Sequence, residues 1–253
     1  MVHISPPRIE INCDMGEAFG PYPGGPDEEI MPFIDTANVA CGGHSGDPVT
    51  MLKTVQLAKK HGVRVGAHPG YPDLLGFGRR SWEMSETELY CMILTQVGAL
   101  KAVAESEGLS LNHIKPHGRL YTTIASERDL CRPVYKACKT FNVPVYGLPG
   151  SFHESVAAEL GIDFIPEVYV DANYVSAYTL INKLDKTIPP LQRGDLYTKV
   201  KQMRDDDSVI AVSGRTVPMG IKSRPFTICI HSDIPDAIHN VSALQDAVKE
   251  LNA

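Results

Sequence analysis

The stretch TANVACGGHSGDPVTMLKTVQLAKKHGVRVGAH, residues 36–68, spells out one complete strand–helix–strand unit. Residues 36–41 read as a strand of small and β-branched residues that runs into Gly42-Gly43. Asp47 stands where a helix cap belongs, Pro48 suits the first helical position, and Gly62 follows the last turn as a stop. Residues 64–67 then read as a second strand. Two strands joined through a helix lie parallel, because only a hairpin reverses direction over a short link.

The same alternation extends outward in both directions. Strands are expected at residues 8–12, 112–115, 143–148, 163–170, 208–212 and 226–230. A Gly/Pro-rich loop covers residues 20–26, and Ser85-Glu86-Thr87-Glu88 forms a capping box that opens a long helix ending near Gly108. A last helix is expected from about residue 235 to 251. Seven or eight strands in βα order favour a closed or nearly closed α/β barrel over an open doubly wound sheet. The 253 residues read as one barrel domain, with an irregular excursion at 173–207 that contains Pro189-Pro190.

Composition narrows the function. A formal net charge of −6 argues against nucleic acid and against an anionic membrane surface. No apolar run approaches a membrane span, and the first residues, MVHISPP, lack the basic and apolar regions of a signal peptide. The six cysteines include no Cys-x-x-Cys pair and read as reduced, mostly buried thiols, which places the chain in the cytoplasm. Cys13 reads as a small residue packed at a strand end. The loop at Gly20–Gly25 has no Gly-Lys-Ser/Thr ending, and no Gly-x-Gly-x-x-Gly follows the first strand, so nucleotide binding has no motif here.

Chemistry collects directly after the apolar runs. The first strand ends in Asn12-Cys13-Asp14-Met15-Gly16-Glu17, the second runs to His44, the third ends at His68, and the fourth at Lys115-Pro116-His117. Later strands finish at Glu167…Asp171 and at His231-Ser232-Asp233. In a barrel all these ends share one face, so Asp14, His44, His68, His117 and Lys115 form the candidate catalytic set. His113-x-x-x-His117 resembles a helical zinc pair, but Pro116 opposes a helix. In a strand the two rings would stand about 13 Å apart, so His113 reads as structural. Two chemistries fit the set. Asp14, His68 and His117 could hold a divalent metal that activates water, or the same groups could act as acid and base on an amide or lactam. Lys115 would stabilise charge on the substrate, and Arg79-Arg80 could clamp a carboxylate or phosphate.

Five segments resemble the LamB/YcsF family, the A subunits of 5-oxoprolinase. They are Ile11-Asn12-Cys13-Asp14-Met15-Gly16-Glu17, the stretch from Ala37 to Pro48 (ANVACGGHSGDP), the stretch from Gly66 to Asp73 (GAHPGYPD), Gly76-Phe77-Gly78-Arg79-Arg80, and Ile114-Lys115-Pro116-His117-Gly118-Arg119-Leu120-Tyr121. The match is dense from about Ile9 to Tyr121 and looser to Cys229-Ile230-His231. It implies a distorted seven-stranded β/α barrel related to polysaccharide deacetylases. It also implies ATP-dependent opening of 5-oxo-L-proline to L-glutamate with separate partner subunits, one of which would bind the ATP. Glu17, Asn38, Arg79, Arg80, Asp171 and His231 then become the candidate substrate-binding residues. The second half departs from the family pattern. Where the family has Asp-Arg-x-Tyr, this chain reads Asp171-Ala172-Asn173-Tyr174, and the closing His-Gly-Asp is His231-Ser232-Asp233. A stand-alone metal-dependent deacetylase or amidohydrolase, and a non-catalytic partner subunit, are the rival readings.

Overall fold

The computed structural model describes residues 8–172, 174–176, 179–180, 195–233 and 236–253. Three strands open the chain: β1 (Ile9–Met15), β2 (Thr36–Ala40) and β3 (Arg64–His68). The short helix α1 (Asp27–Ile30) and the helix α2 (Pro48–His61) separate them. The Asp47 carboxylate accepts the backbone N–H groups of Val49 and Thr50. Gly62 ends α2 at φ 70°, in the left-handed region that favours glycine. Helix α3 (Glu86–Ser106) carries the expected capping box, with Ser85 and Glu88 each satisfying the other's backbone N–H.

Next come α4 (Gly118–Ser126), α5 (Arg128–Lys139), β4 (Val145–Gly147), α6 (Phe152–Leu160) and β5 (Phe164–Tyr169). Two strands, β6 (Tyr174–Ser176) and β7 (Thr179–Leu180), form a hairpin, and α7 (Asp195–Asp206) follows. The expected excursion at 173–207 is therefore a hairpin and a helix at its described ends, while Pro189-Pro190 lies outside the described residues. A second hairpin, β8 (Ser208–Ile210) with β9 (Thr216–Pro218), precedes β10 (Phe226–Ile230) and α8 (Ala237–Asn252).

Six strands pair in the order β3-β2-β1-β10-β5-β4, every pair parallel. The two edges meet through Ile114, which bridges Ala67 of β3 and Val145 of β4. Lys115 N donates to Ala67 O at 2.9 Å, and Tyr146 N to Ile114 O at 2.9 Å. The ring thus closes with seven staves, the seventh reduced from the expected residues 112–115 to a single bridging residue. Pro116, directly beyond, has no N–H to extend the ladder. The expected strand at 208–212 is not a stave. A link of five residues to its partner makes it half of an antiparallel hairpin, since a parallel stave needs a crossover.

Side chains alternate across each strand, and this ring puts its polar set inside. On β1, Ile9, Ile11, Cys13 and Met15 belong to the apolar core. Asn12 and Asp14, the alternating residues, instead meet side chains from other staves: Asn12 reaches Thr227, and Asp14 reaches Asn38 and Lys115. Cys13 is fully buried, and that burial pushes its thiol well above the ordinary value, as expected of an inert packed residue. Of the six cysteines only Cys91 is exposed. Among the described residues, no helix is long and apolar enough to cross a membrane.

The loop before α1 returns to the ring through Asp27, whose Oδ2 accepts Gly16 N–H at 2.7 Å, while its Oδ1 is buried without a partner. Burial pushes its carboxyl up from 3.8 to about 6, with Glu17 and Glu29 adding to the rise and the Gly16 bond opposing it. A raised carboxyl favours the folded state most at low pH, and that contribution fades as pH rises from 3.8 towards 6. Asp27→Asn keeps an acceptor for Gly16 and removes the buried charge. Urea melts at pH 4 and pH 8 should show the variant gaining on the natural chain at the higher pH, by at most about 3 kcal/mol.

Candidate active site

At the C-terminal end of the ring, Lys115 turns its ammonium inward. Nζ lies 2.9 Å from Asp14 Oδ1, 3.0 Å from Glu167 Oε1 and 3.0 Å from Cys229 Sγ. The side chain is 3% exposed, and the Asp14 and Glu167 side chains are 8% and 0% exposed. Burial alone would strip the charge from Lys115, but Asp14 foremost, with Cys229 and Glu167, holds its pKa well above the ordinary range. Asp14 answers in kind: burial pushes its carboxyl up, and His68 and Lys115 together overcome this and hold it well below the carboxylate range. The result is a buried charge cluster rather than neutral groups. Tyr169 donates its hydroxyl to Glu167 Oε2 at 2.8 Å, fixing the second carboxylate.

A polar stack beneath the cluster sets its geometry. Asn38 Nδ2 donates to Asp14 Oδ1 at 2.8 Å and to Asn12 Oδ1 at 2.7 Å. His113 Nε2 donates to Asn38 Oδ1 at 2.7 Å while its ring stacks on Tyr146 at 3.8 Å. Asn38 is therefore a support under Asp14, fully buried, and His113 is structural as its strand position suggested. Ser232 stands where the family pattern has glycine. Its hydroxyl donates to the Asp14 carbonyl at 3.3 Å, and Gly25, lacking a side chain, leaves it room.

Three histidines pack beside Asp14. His68 donates Nδ1–H to the Lys115 carbonyl at 2.8 Å, and His117 donates Nε2–H to the Phe77 carbonyl at 2.9 Å. Carbonyl oxygens only accept, so these bonds fix which nitrogens carry hydrogen. His68 Nε2 and His117 Nδ1 then face each other at 2.9 Å, and His68 Nε2 is 3.2 Å from Asp14 Oδ2. His44 stacks on His117 at 3.5 Å and 3°, with Nε2 3.1 Å from Glu17 Oε1 and its Nδ1 buried without a partner. Burial, and for His117 the neighbouring His44 and His68, pushes both His44 and His117 towards the uncharged ring.

These atoms make two groups that could hold a metal ion: Glu17 with His44, His68 and His117, and Asp14 with Cys229 and His231. The set of Asp14, His68 and His117 expected from sequence thus contributes to both. Three imidazoles and a carboxylate are donor types that suit a borderline divalent ion, but the face-to-face stack of His44 on His117 keeps the in-plane lone pairs of those two rings from meeting at one point.

A cavity of about 520 Å³ opens over Asp14, His68, Lys115 and His117. Arg79 and Arg119 line it, as do Tyr169 and His231. Arg79 lies over the Phe77 ring, and Arg119 Nε donates to Ser81 Oγ at 3.1 Å. Arg80 is not brought to the cavity. Its side chain is 61% exposed and grips Asp73, whose carboxyl it pulls down to about 2. Asp171 holds His231 from behind, with its carboxylate 2.8 Å from Nδ1 and 2.7 Å from the backbone N. Nδ1 therefore carries hydrogen, and Nε2 points forward, 3.9 Å from Asp14 Oδ2. Ala172, standing where the family pattern has arginine, lines the same cavity. Glu17 and His44 lie behind His117, outside the residues that line it.

A model described as the LamB/YcsF family matches residues 9–253. The chain belongs to the LamB/YcsF family. It is 43% identical to a lactam utilization protein lamB of Emericella nidulans, over 96% of this chain and 94% of that one. It is 41% identical to a 5-oxoprolinase A subunit of Pyrococcus horikoshii, with the same two coverages. A solved structure of a lactam utilization protein from Thermus thermophilus superposes with a TM-score of 0.87 at 36% identity, covering 96% of each chain. In this LamB/YcsF chain, sequence reasoning noted Glu167 at a strand end without giving it a site role, and gave none to Tyr169, Cys229 or Arg119. The signal for Glu167 was present, as an acidic residue inside the apolar run Phe164-Ile165-Pro166-Glu167-Val168. Arg119 stands two residues after His117, within a segment already singled out.

The polar stack leaves no slack at Gly66, where an added Cβ would lie 2.1–2.4 Å from the His113 ring. Gly66→Ala should displace His113, and with it Asn38 and Asp14, at a cost of about 1–3 kcal/mol in urea unfolding. An unchanged midpoint would show that the stack has room this geometry does not contain.

Proposed function

We propose that this chain opens 5-oxo-L-proline, or a closely related lactam, to the amino acid by attack of water on the ring amide, working with partner subunits that supply ATP coupling. The observation that carries the reading is the charged Lys115 on the floor of a cavity into which His231, backed by Asp171, aims its second ring nitrogen. The names of the relatives, a lactam utilization protein and a 5-oxoprolinase A subunit, support the substrate class and the existence of partners. The lack of a P-loop motif in the sequence supports placing ATP on a different chain of the assembly. An unstrained five-membered lactam resists hydrolysis near neutral pH, which is why coupling is needed.

The residues divide the work as follows. Arg79 and Arg119 take the substrate carboxylate on the cavity wall. Lys115 donates to the amide oxygen and stabilises the negative charge that develops there as the carbonyl carbon becomes tetrahedral. His231 Nε2 accepts a proton from the attacking water, and Asp171 stabilises the imidazolium that forms. The same proton then passes to the ring nitrogen as the C–N bond breaks, leaving a carboxylic acid and an amine, which exchange a proton to give the carboxylate and the ammonium. His44 and His117 belong to the candidate acid–base set read from the sequence; their burial and the inward bond of His117 to the Phe77 carbonyl support giving the proton transfer to His231 instead.

The test combines the purified chain, its partner subunits, ATP and 5-oxo-L-proline, with glutamate as the readout. Glutamate should form only in the full mixture, and Lys115→Met or His231→Ala should lower kcat by about 10²-fold or more. A full rate from either variant, or glutamate from partners alone, would contradict the assignment.

A further inference from the structure

We infer that Cys229 is a positioning residue for the proposed reaction: its thiol holds the Lys115 hydrogen that the lactam oxygen takes, and yields it when the lactam binds. The inference rests on the lactam reading and gives work to a residue that the reading leaves idle.

Lys115 has three hydrogens to give and four neighbours to receive them. Asp14 Oδ1 lies 2.9 Å from Nζ, Glu167 Oε1 3.0 Å, Cys229 Sγ 3.0 Å and Asn12 Oδ1 3.4 Å. The ammonium therefore has no hydrogen to spare, and a substrate oxygen binds it only by displacing a neighbour. The two carboxylates are charged, which makes their bonds the strong ones, and losing either would leave Lys115 uncompensated. Asn12 belongs to the polar stack beneath Asp14, where its Oδ1 already accepts Asn38 Nδ2–H at 2.7 Å. That leaves the thiol. It is uncharged, and sulfur is a weak acceptor.

Position agrees with strength. Thr227 and Cys229 alternate along β10, and His231 continues the series just beyond it, so all three share the inner face of the ring. Sγ lies 4.0 Å from His231 Nε2, the nitrogen proposed to take a proton from water. The other nitrogen of that ring faces Asp171, so Nε2 is the one that accepts. The Cys229 side chain is fully buried. Burial foremost, with Asp14, Glu167 and Asp171 outweighing Lys115, holds its thiol well above the ordinary value, and the sulfur keeps its hydrogen. In the resting site the thiol accepts from Lys115 as the amide oxygen would. It also turns a weak donor towards His231, as the attacking water would. Both groups are thus kept in line by contacts weak enough to exchange. A hydroxyl in the same place would compete harder with the substrate, and a methyl group would not compete at all.

The experiment measures 5-oxo-L-proline binding by calorimetry to the full-length natural chain, Cys229→Ser and Cys229→Ala, and then turnover with partner subunits and ATP. Cys229→Ser should weaken binding and raise KM about 5-fold, with kcat within about twofold, since it substitutes a stronger acceptor. Cys229→Ala should bind at least as tightly as the natural chain. Circular dichroism confirms that each variant folds. Raman spectra of the natural chain, taken with and without the lactam, give a readout that needs no variant: an S–H stretching band should shift as the thiol loses Lys115. Equal binding by the natural chain and Cys229→Ser, weaker binding by Cys229→Ala, or an unmoved S–H band overturns the inference. The expected order of binding without glutamate from the full mixture supports the contact and contradicts the reaction. No binding by the natural chain overturns both.

Discussion

A lysine ammonium with almost no access to water is the constraint around which this barrel is arranged. Lys115 is charged only because Asp14 and Glu167 reach it from two other staves, 2.9 and 3.0 Å away. Removing one partner from such a buried group typically costs about 3–5 kcal/mol, because the remaining charge is left uncompensated. The cluster therefore ties three strand ends together, since losing any one member leaves an uncompensated charge, and it keeps a cation at the floor of a cavity. That explains why the ring interior is polar. Asn12, Asn38, His113 and Thr227 form hydrogen-bonded layers beneath Asp14, and the apolar faces of the strands turn outward to the helices. Stability is drawn from the outer layer, and the inner one is free to hold chemistry.

Closure of the ring serves the same end. Ile114 is the residue that joins β3 to β4, and Lys115 follows it directly. The backbone bond from Lys115 N to Ala67 O anchors the lysine at the seam, while the Lys115 carbonyl orients His68. Two adjacent residues thus close the barrel, charge its floor and fix a histidine tautomer. The loop over residues 71–80 covers the histidines from above. Asp73 and Arg80 hold the loop, and Arg79 is left to face the cavity. Neighbouring arginines with similar surroundings in sequence so receive different work, one structural and one at the site.

Much of this is legible in the residues alone. The helix signals at Asp47, Pro48, Gly62 and Ser85 are local, and local hydrogen bonds decide them. The convergence of Asp14, His68, Lys115 and His117 follows from parallel strands sharing one end. What stays hidden depends on distance and direction. The stave at 112–115 shrinks to one residue because its neighbours across the seam, not its own sequence, determine pairing. The strand at 208–212 is real but joins a hairpin, which periodicity alone does not distinguish. His44 reads as a cavity residue from its place after a strand, yet its ring stacks behind His117. His231 reads as a substrate contact, and only the Asp171 carboxylate on its Nδ1 gives it a base's orientation. Ala172, in place of the family's arginine, leaves that pair intact, so the departure alters the cavity wall rather than the proton path proposed for His231.

The account stands on Lys115 meeting the amide oxygen of a lactam. The most direct measurement is a crystal structure of the chain soaked with 5-oxo-L-proline. The ring carbonyl should lie about 3 Å from Lys115 Nζ, with the carboxylate against Arg79 and Arg119 and the carbonyl carbon open to His231. A ligand bound with its carbonyl turned away from Lys115, or held elsewhere on the surface, would contradict the central claim.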